Sequence, residues 1–298
     1  AVAPWGWRTI ASEIIFSAQA VFMTDRYAVI GNPIVQSKSP FIHTAFAQVA
    51  HQDMEYTAIE GPVGPSGAFA ATVDAFRQAG GKGLNVTTPF KLDAFAYATE
   101  LSDGARQAGA VNALKFEGDR VLAENFDGVG LVRDVVHNLG CALEGKRVLV
   151  LGAGGATRGA LLPILGEKPA LVVIANRTVD KAREVAAMGA SRGTVRGCGY
   201  DELAGQAFDV VFNGTSASLR AELPPVPAGV FAPGCLAYEM AYGKGLTPFL
   251  QVAKAAGVTH LADGVGMLAE QAAEAFAWWR GVRPETHDVI QKLTVPLV

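Results

Sequence analysis

Groups that could donate or accept protons and hydrogen bonds gather at four places in the first half of the chain: Ser37-Lys38-Ser39-Pro40, Asn85-Val86-Thr87-Thr88-Pro89-Phe90-Lys91, Asn112, and Asn125-Phe126-Asp127-Gly128. They sit mainly where apolar runs that read as strands come to an end. The carboxyl ends of strands in an open α/β sheet are where ligands bind, so the collective position of these residues outweighs any one of them. Ser37 and Ser39 also stand just before a helix start and could cap it and do nothing more. Lys91 is harder to account for as structure. A cation in the first turn of a helix opposes the helix dipole at a cost of about 0.3–1 kcal/mol, and a placement that unfavourable suggests another use.

A second chemistry is written in Arg147 to Gly159, RVLVLGAGGATRG. A short Val/Leu run bounded by glycines reads as a fully buried parallel strand. Gly152, Gly154 and Gly155, with Ala153 and Ala156 between and after them, let the backbone turn sharply and approach a ligand, and the helix that follows offers free N–H groups to a phosphate. This is a pyrophosphate cradle; the same glycines would also serve a purely structural turn. Thr157 stands where the strict G-x-G-x-x-G pattern has its third glycine, which predicts a helix packed slightly further from its strand. The next apolar run, Leu171 to Ala175, ends in Asn176-Arg177-Thr178, the position that meets the adenosine ribose in dinucleotide-binding folds. No acid is present there to select a 2′-hydroxyl. Arg177 offers a planar fork of donors for a 2′-phosphate, Thr178 a hydroxyl and Lys181 a further charge one turn along, so the cofactor reading is NADP. The rival is a surface helix cap that touches nothing.

The elements that must position these groups alternate strand and helix. Strands are predicted at Tyr27–Ile30, Met54–Ile59, Lys82–Thr87, Phe208–Phe212 and Leu236–Met240, besides those at 147–151 and 171–175. Helices are predicted at Pro40–Ala50, Ser66–Ala79, Val129–Asn138, from Thr178 to about Met188, at Thr247–Ala256 and at Val265–Trp279, with Pro89 in the first turn of another. Val111–Phe116 and Arg120–Glu124 around Gly118-Asp119 read as a hairpin, the one antiparallel signal of this half. The last helix carries Met267, Leu268, Ala272, Ala275, Phe276 and Trp279 on one face. Regular alternation argues for two open α/β sheets.

Composition fits that architecture. The chain has 298 residues, half of them apolar and 18% charged, which suits two domains with their own cores. A net charge of −3 without a Lys/Arg cluster argues against nucleic acid and anionic membranes and for small metabolites. Cys141, Cys198 and Cys235 are far apart and form neither a disulfide framework nor a zinc pattern, and the five histidines show no ligand spacing, so no metal is expected. A reducing, cytoplasmic setting fits. His43 reads as a packed or half-exposed side chain. No segment approaches ~18 uninterrupted apolar residues. A homodimer is kept open, since the sequence does not set the oligomeric state.

Nine ordered segments, IGNPIVQSKSPFIH, GGKGLNVTTPFK, AGAVNAL, ENFDGVG, VLGAGGATRG, ANRT, NGTS, MAYGKGLTPFL and DGVGMLAEQAAEAF, carry a resemblance that covers essentially everything after Met23. The chain resembles the shikimate dehydrogenases. The resemblance implies reversible NADPH-dependent reduction of 3-dehydroshikimate to shikimate in aromatic amino-acid biosynthesis. It also implies two open α/β domains with a cleft between them: a substrate-binding α/β sandwich formed by 24–126 with 266–298, and a Rossmann-like NADP-binding domain at 127–265. Carried over position by position, Ser37, Ser39 and Tyr242 hold the substrate carboxylate and nearby oxygens. Asn85, Thr87, Asn112, Asp127 and Gln271 read the ring hydroxyls, and Lys91 and Asp127 form the catalytic pair. Gly152 to Ala156 meet the pyrophosphate, Asn176 to Lys181 the adenosine phosphate, Met240 and Gly264 the nicotinamide, and Asp103 is a further cofactor contact. A small polyol does need several placed hydrogen-bonding groups of this kind. Two positions depart from the pattern. Phe126 replaces the threonine usual before the aspartate, and Lys181 replaces a frequent arginine, which would hold phosphate without a fork and soften the NADP preference. A dehydrogenase that also takes quinate or uses NAD, and a non-catalytic NADP-binding regulator on the same scaffold, stay open as alternatives.

Residues 1–23 carry Arg8, an apolar run from Ile10 to Phe16 and Ala18-Gln19-Ala20, a superficial likeness to an export signal that Glu13 spoils. Met23 directly precedes the first strand, so the residues before it read as an extension, disordered or foreign to the native protein. Removing residues 1–22 is expected to leave melting temperature and turnover unchanged, because exposed chain ends rarely belong to a core. A large loss of either, measured by thermal denaturation and steady-state assay, would show that the segment packs on the protein.

Overall fold

The computed structural model describes residues 24–215, 222, 225–243 and 245–297. The extension read at residues 1–23 lies outside them. The first half runs β1 (Asp25–Gly31), α1 (Ser39–Val49), β2 (Met54–Glu60), α2 (Ala68–Gln78), β3 (Gly81–Val86), α3 (Lys91–Tyr97), β4 (Glu100–Leu101), α4 (Asp103–Ala108), β5 (Ala113–Glu117) and β6 (Arg120–Glu124). These strands form one sheet in the order β2-β1-β3-β5-β6-β4. Helical crossovers make β1 parallel to β2 and β3. The expected hairpin joins β5 and β6 through Gly118, whose φ of +61 suits a residue without a Cβ. A second antiparallel pairing, β3 with β5, escaped the sequence reading because α3, β4 and α4 separate the two strands.

The chain then enters α5 (Asp127–Arg133), whose end widens into a π-helical turn, Asp134–Asn138. The second sheet follows: β7 (Arg147–Leu151), α6 (Gly155–Gly166), β8 (Leu171–Ala175), α7 (Val179–Gly189), β9 (Val195–Cys198), β10 (Phe208–Asn213), β11 (Phe231–Glu239), α8 (Pro248–Ala255) and β12 (His260–Asp263). Its strands are all parallel and ordered β12-β11-β10-β7-β8-β9. That is the doubly wound order, and it reverses direction between β7 and β10, where the crevice for a ligand opens. Alternation along β7 sends Val148 and Val150 into the core beneath α6, and Leu149 and Leu151 into the core beneath α8. Burial on both faces is why this strand reads as a continuous apolar run.

The last elements, α9 (Val265–Arg280) and α10 (His287–Leu293), return to the first sheet. Phe276 of α9 packs against Ile42 and Phe46 of α1, and the Trp279 indole donates to the Leu114 carbonyl at 3.0 Å. Short pieces such as β4, α4, β9, β12 and α10 carry too few periods to be read from sequence. Pro89 is not inside the helix as predicted; it lies in the turn before it, after a cis Thr88–Pro89 bond, and Lys91 is the first helical residue.

Two glycines set how α5 is held. A Cβ on Gly128 would stand 2.1 Å from the Gly159 carbonyl oxygen of α6, and one on Gly130 would stand 2.7 Å from the Gln271 backbone nitrogen of α9. Only bare Cα atoms allow α5 to lie this close to both neighbours. Gly128→Ala should therefore cost about 1–3 kcal/mol or more through overpacking against backbone. Gly166→Ala, where a Cβ meets nothing within 4 Å, should be neutral or stabilising by up to about 1 kcal/mol. Equal midpoints for the two variants in urea denaturation would remove the close approach as the constraint.

Candidate active site

Lys91, at the start of α3, and Asp127, at the start of α5, meet with Nζ 2.5 Å from Oδ2. The contact is partly buried, with the lysine side chain 32% and the aspartate 19% exposed. The other carboxylate oxygen accepts from Asn112 Nδ2 at 2.8 Å. Asn112 is itself oriented, because its Oδ1 accepts the Phe126 backbone N–H at 2.9 Å. Asn125 accepts the Asp127 N–H at 3.1 Å and donates to the Ala110 carbonyl at 3.0 Å. Asp127 is thus fixed at its backbone and at both oxygens. Charge-assisted hydrogen bonds of this sort are the strong ones, so the carboxylate is a rigid acceptor facing a cation.

A cleft opens over this pair. Ser39, Asn85, Thr87, Asn112 and Gln271 line it beside Lys91 and Asp127, and Met240, Tyr242 and Gly264 close it from the second sheet. Gln271 Nε2 donates to the Leu268 carbonyl at 2.8 Å, and its Oε1 accepts from Asn112 Nδ2 at 3.4 Å. Ser37 does not line the cleft. Its hydroxyl instead accepts the Ser39 N–H at 3.3 Å at the helix start, while Ser39 is buried against the cavity. Sequence reasoning missed the apolar floor, Val29, Val86, Met267 and Leu268. The two valines read as ordinary core strand, and Met267 and Leu268 were placed on a helix face with nothing to mark a ligand. Phe126 packs edge-on to Trp278 at 5.8 Å, so the side chain that departs from the family pattern fills space without displacing Asp127.

The second sheet supplies the other half of the cleft. Gly152, with φ +96, ends β7, and α6 begins at Gly155 behind Gly154, which offers no side-chain cap. The first N–H groups of a helix lack intrahelical partners, so this turn presents donors and a positive dipole end, as a pyrophosphate requires. A Cβ on Gly154 or Gly155 would meet nothing within 4 Å, which leaves open space over the turn. Thr157 is taken up inside the turn: it is buried and its hydroxyl donates to the Gly152 carbonyl at 2.9 Å. The substitution for glycine thus ties helix and turn together and does not leave a gap. Arg177 and Lys181 are exposed beyond β8, and Asn176 Nδ2 donates to the Thr178 carbonyl at 2.9 Å. Gly264 is obligatory, since a Cβ there would lie 2.2 Å from the Met240 carbonyl oxygen. These residues fit a dinucleotide carrying a 2′-phosphate. Asp103 stands apart: its carboxylate is fully exposed and pairs with Arg106 at 2.9 Å within α4, among none of the groups lining the cleft.

Two buried acids brace the cleft without lining it. Asp134 accepts from the Tyr238 hydroxyl at 2.7 Å and from Asn138 at 2.9 Å, and burial raises its carboxyl above the ordinary range. Glu270, next to Gln271, accepts from Arg133 at 3.1 Å, Thr286 at 2.5 Å, Asn138 at 3.0 Å and Arg283; burial raises its carboxyl, but the bonds from Thr286 and Asn138 and the Arg283 charge outweigh that and hold it below.

Three family models match along the chain: a shikimate dehydrogenase substrate binding domain at residues 29–114, a shikimate/quinate 5-dehydrogenase domain at 134–221 and a shikimate 5′-dehydrogenase C-terminal domain at 264–294. A shikimate dehydrogenase (NADP(+)) of Nitrosospira multiformis is 56% identical over 271 residues, 91% of this chain and 98% of its own. The chain belongs to the shikimate dehydrogenase family. Among solved structures, an Ael1 enzyme from Pseudomonas putida is similar at 58% identity and TM-score 0.88 over 92% of this chain and 100% of its own. A family member from Thermus thermophilus, solved with NADP(H) and shikimate, is similar at 27% identity and TM-score 0.78 over 91% of this chain and 100% of its own. The two α/β sheets described above are therefore the family's two-domain, Rossmann-like fold.

If Arg177 grips a 2′-phosphate, Arg177→Asp removes a charged hydrogen bond and adds a like charge. KM for NADPH is expected to rise at least about tenfold, from a loss of ~1.5–3 kcal/mol, while KM for NADH changes little. Equal losses for both cofactors in steady-state kinetics would sink the assignment.

Proposed function

We propose that the chain reduces 3-dehydroshikimate to shikimate, reversibly and with NADPH, within the shikimate pathway, and that Lys91 and Asp127 carry the proton chemistry. The carrying observation is the 2.5 Å Lys91–Asp127 contact at the edge of a polar cleft that Met240 and Gly264 close from the dinucleotide side. In this reading residues 24–126 with 266–298 hold the substrate and residues 127–265 hold the cofactor. NADPH, when bound, supplies two electrons and a hydrogen to the ketone carbon. Negative charge then develops on the ketone oxygen, and a donor must lie within hydrogen-bond reach of it. The Lys91 Nζ donates that proton in reduction and accepts it in oxidation. Asp127 Oδ2 orients the ammonium, and its rigid placement by Asn112 and Asn125 keeps the donor aimed at one spot. Ser39, Asn85, Thr87 and Gln271 present the hydrogen-bonding groups that a carboxylated polyol needs. Three free cysteines, two of them buried, agree with a cytoplasmic setting. Among the described residues no helix is long and apolar enough to cross a membrane.

NADPH oxidation by the purified chain with 3-dehydroshikimate tests the assignment directly, and no turnover would overturn it. General acid–base catalysis contributes about 10²–10⁴ in rate, so Lys91→Ala should lower kcat by about that factor with a smaller change in KM. Asp127→Asn should lower kcat and weaken substrate binding as well. If Lys91→Ala keeps kcat within about tenfold of the parent while KM climbs, the lysine binds substrate and the proton comes from elsewhere.

A further inference from the structure

Behind the cleft lies a buried aromatic side chain with a polar tip that no step above uses. Tyr56 of β2 is buried and stacks face to face on His43 of α1, with centroids 4.2 Å apart and planes within 4°. The imidazole is fully buried; neither ring nitrogen makes a well-formed hydrogen bond, and the Asn85 side chain is the polar group that acts on it. Burial lowers its pKa to about 3, outweighing the smaller opposing effect of the Asn85 side chain, so His43 is a neutral plate at physiological pH. Trp279 borders both rings, at 5.4 Å from His43 and 6.4 Å from Tyr56. The phenol ring is thus buried and packed against both His43 and Trp279.

Its hydroxyl lies 2.6 Å from Asn85 Oδ1. The opposite edge of the same carboxamide is 3.4 Å from the Asn112 carbonyl oxygen. A carbonyl oxygen can only accept, so the atom facing Asn112 is the amide nitrogen. The atom facing Tyr56 is then the amide oxygen, and Tyr56 is the donor. A carboxamide has two N–H bonds. One is directed at Asn112; the other is not used in any hydrogen bond among the described residues, on a residue that lines the cleft and also neighbours His43, and it is the bond we assign to the cleft. Ser39, a second cleft residue, also acts on the phenol, its hydroxyl opposing the rise that burial imposes.

We propose that Tyr56, clamped by His43, is a positioning residue: its hydroxyl locks the Asn85 carboxamide with its N–H edge toward the substrate, so that this wall of the site demands an acceptor oxygen. Without the phenol hydroxyl the amide can turn over and present its own oxygen. The proposal deepens the assignment of Asn85 to substrate and rests on that reading. It adds a specificity element that the residues lining the cleft do not reveal.

Tyr56→Phe keeps the ring and its stacking and removes only the donor. KM for 3-dehydroshikimate should rise about 5- to 30-fold, the effect of losing one buried hydrogen bond's orientation, with KM for NADPH unchanged. Residues that act as one unit are not additive, so Tyr56→Phe placed on Asn85→Ala should add no further loss. Asn85→Asp retains the acceptor for Tyr56 but turns a carboxylate oxygen to the cleft, and should bind substrate worse than Asn85→Ala. The side-chain amide signals of Asn85 in a ¹⁵N spectrum should be one sharp pair in the parent and broadened or doubled in Tyr56→Phe. Those signals are read without turnover, so a failure of the reaction assignment leaves them intact. Unchanged Asn85 signals in Tyr56→Phe, a parental KM in Asn85→Asp, or fully additive losses in the double variant would each overturn the proposal.

Discussion

Everything in the cleft depends on how closely α5 can lie against two helices at once. Gly128 brings it onto the backbone of α6 and Gly130 onto the backbone of α9, and side-chain atoms at either position would force the helices apart. α6 starts at the glycine-rich turn, and α9 carries Gln271. The start of α5 carries Asp127. Three helices therefore share one packing problem, and its solution fixes the distance between the Asp127 carboxylate, the glycine-rich turn and the Gln271 side of the cleft. Backbone-to-backbone contact is stiff in a way that interdigitated side chains are not, because there is no rotamer left to adjust.

The polar groups show the same economy of freedom. Asn112, Asn125, Asn85 and Gln271 each use one edge on a fixed partner, the Phe126 N–H, the Ala110 carbonyl, the Tyr56 hydroxyl and the Leu268 carbonyl respectively. Carboxamides are ambiguous in isolation, being donor on one side and acceptor on the other. Anchoring one edge removes the ambiguity at the other. The cleft thus has a definite pattern of donors and acceptors before any ligand enters, which is what preorganisation means at the level of single bonds.

Much of this was legible in the residues. Alternating strands and helices, the glycine turn after β7 and the polar clusters at strand ends are local features, and local features survive in sequence. Lys91 announced itself by sitting where helix electrostatics disfavour it. What could not be read was whatever depends on distant partners. The β3–β5 pairing joins strands separated by three other elements. Thr157, read only as a missing third glycine, bonds its hydroxyl to the Gly152 carbonyl, a partner that spacing alone does not name. His43 reads as a packed or half-exposed side chain, and nothing in the sequence pairs it with Tyr56, on which it stacks. Ser37, paired with Ser39 by spacing, proved to turn toward the backbone while its neighbour faces the cavity.

The return of α9 to the first sheet has a consequence for how the chain comes off the ribosome. The second sheet is complete once His260–Asp263 has emerged, and its core needs nothing from later residues apart from a few side chains such as Leu297. The first sheet, though synthesised earlier, keeps the Tyr27 and Val29 face open until Ala275 and Trp279 arrive to cover it. Vectorial synthesis therefore reverses the order of the domains: the later sheet can fold first, and the earlier one waits with an apolar face exposed. Domains usually form from the N-terminus onward during translation. Here a nascent chain ending between residues 264 and 274 would hold all strands of the second sheet and a first sheet still without its cover.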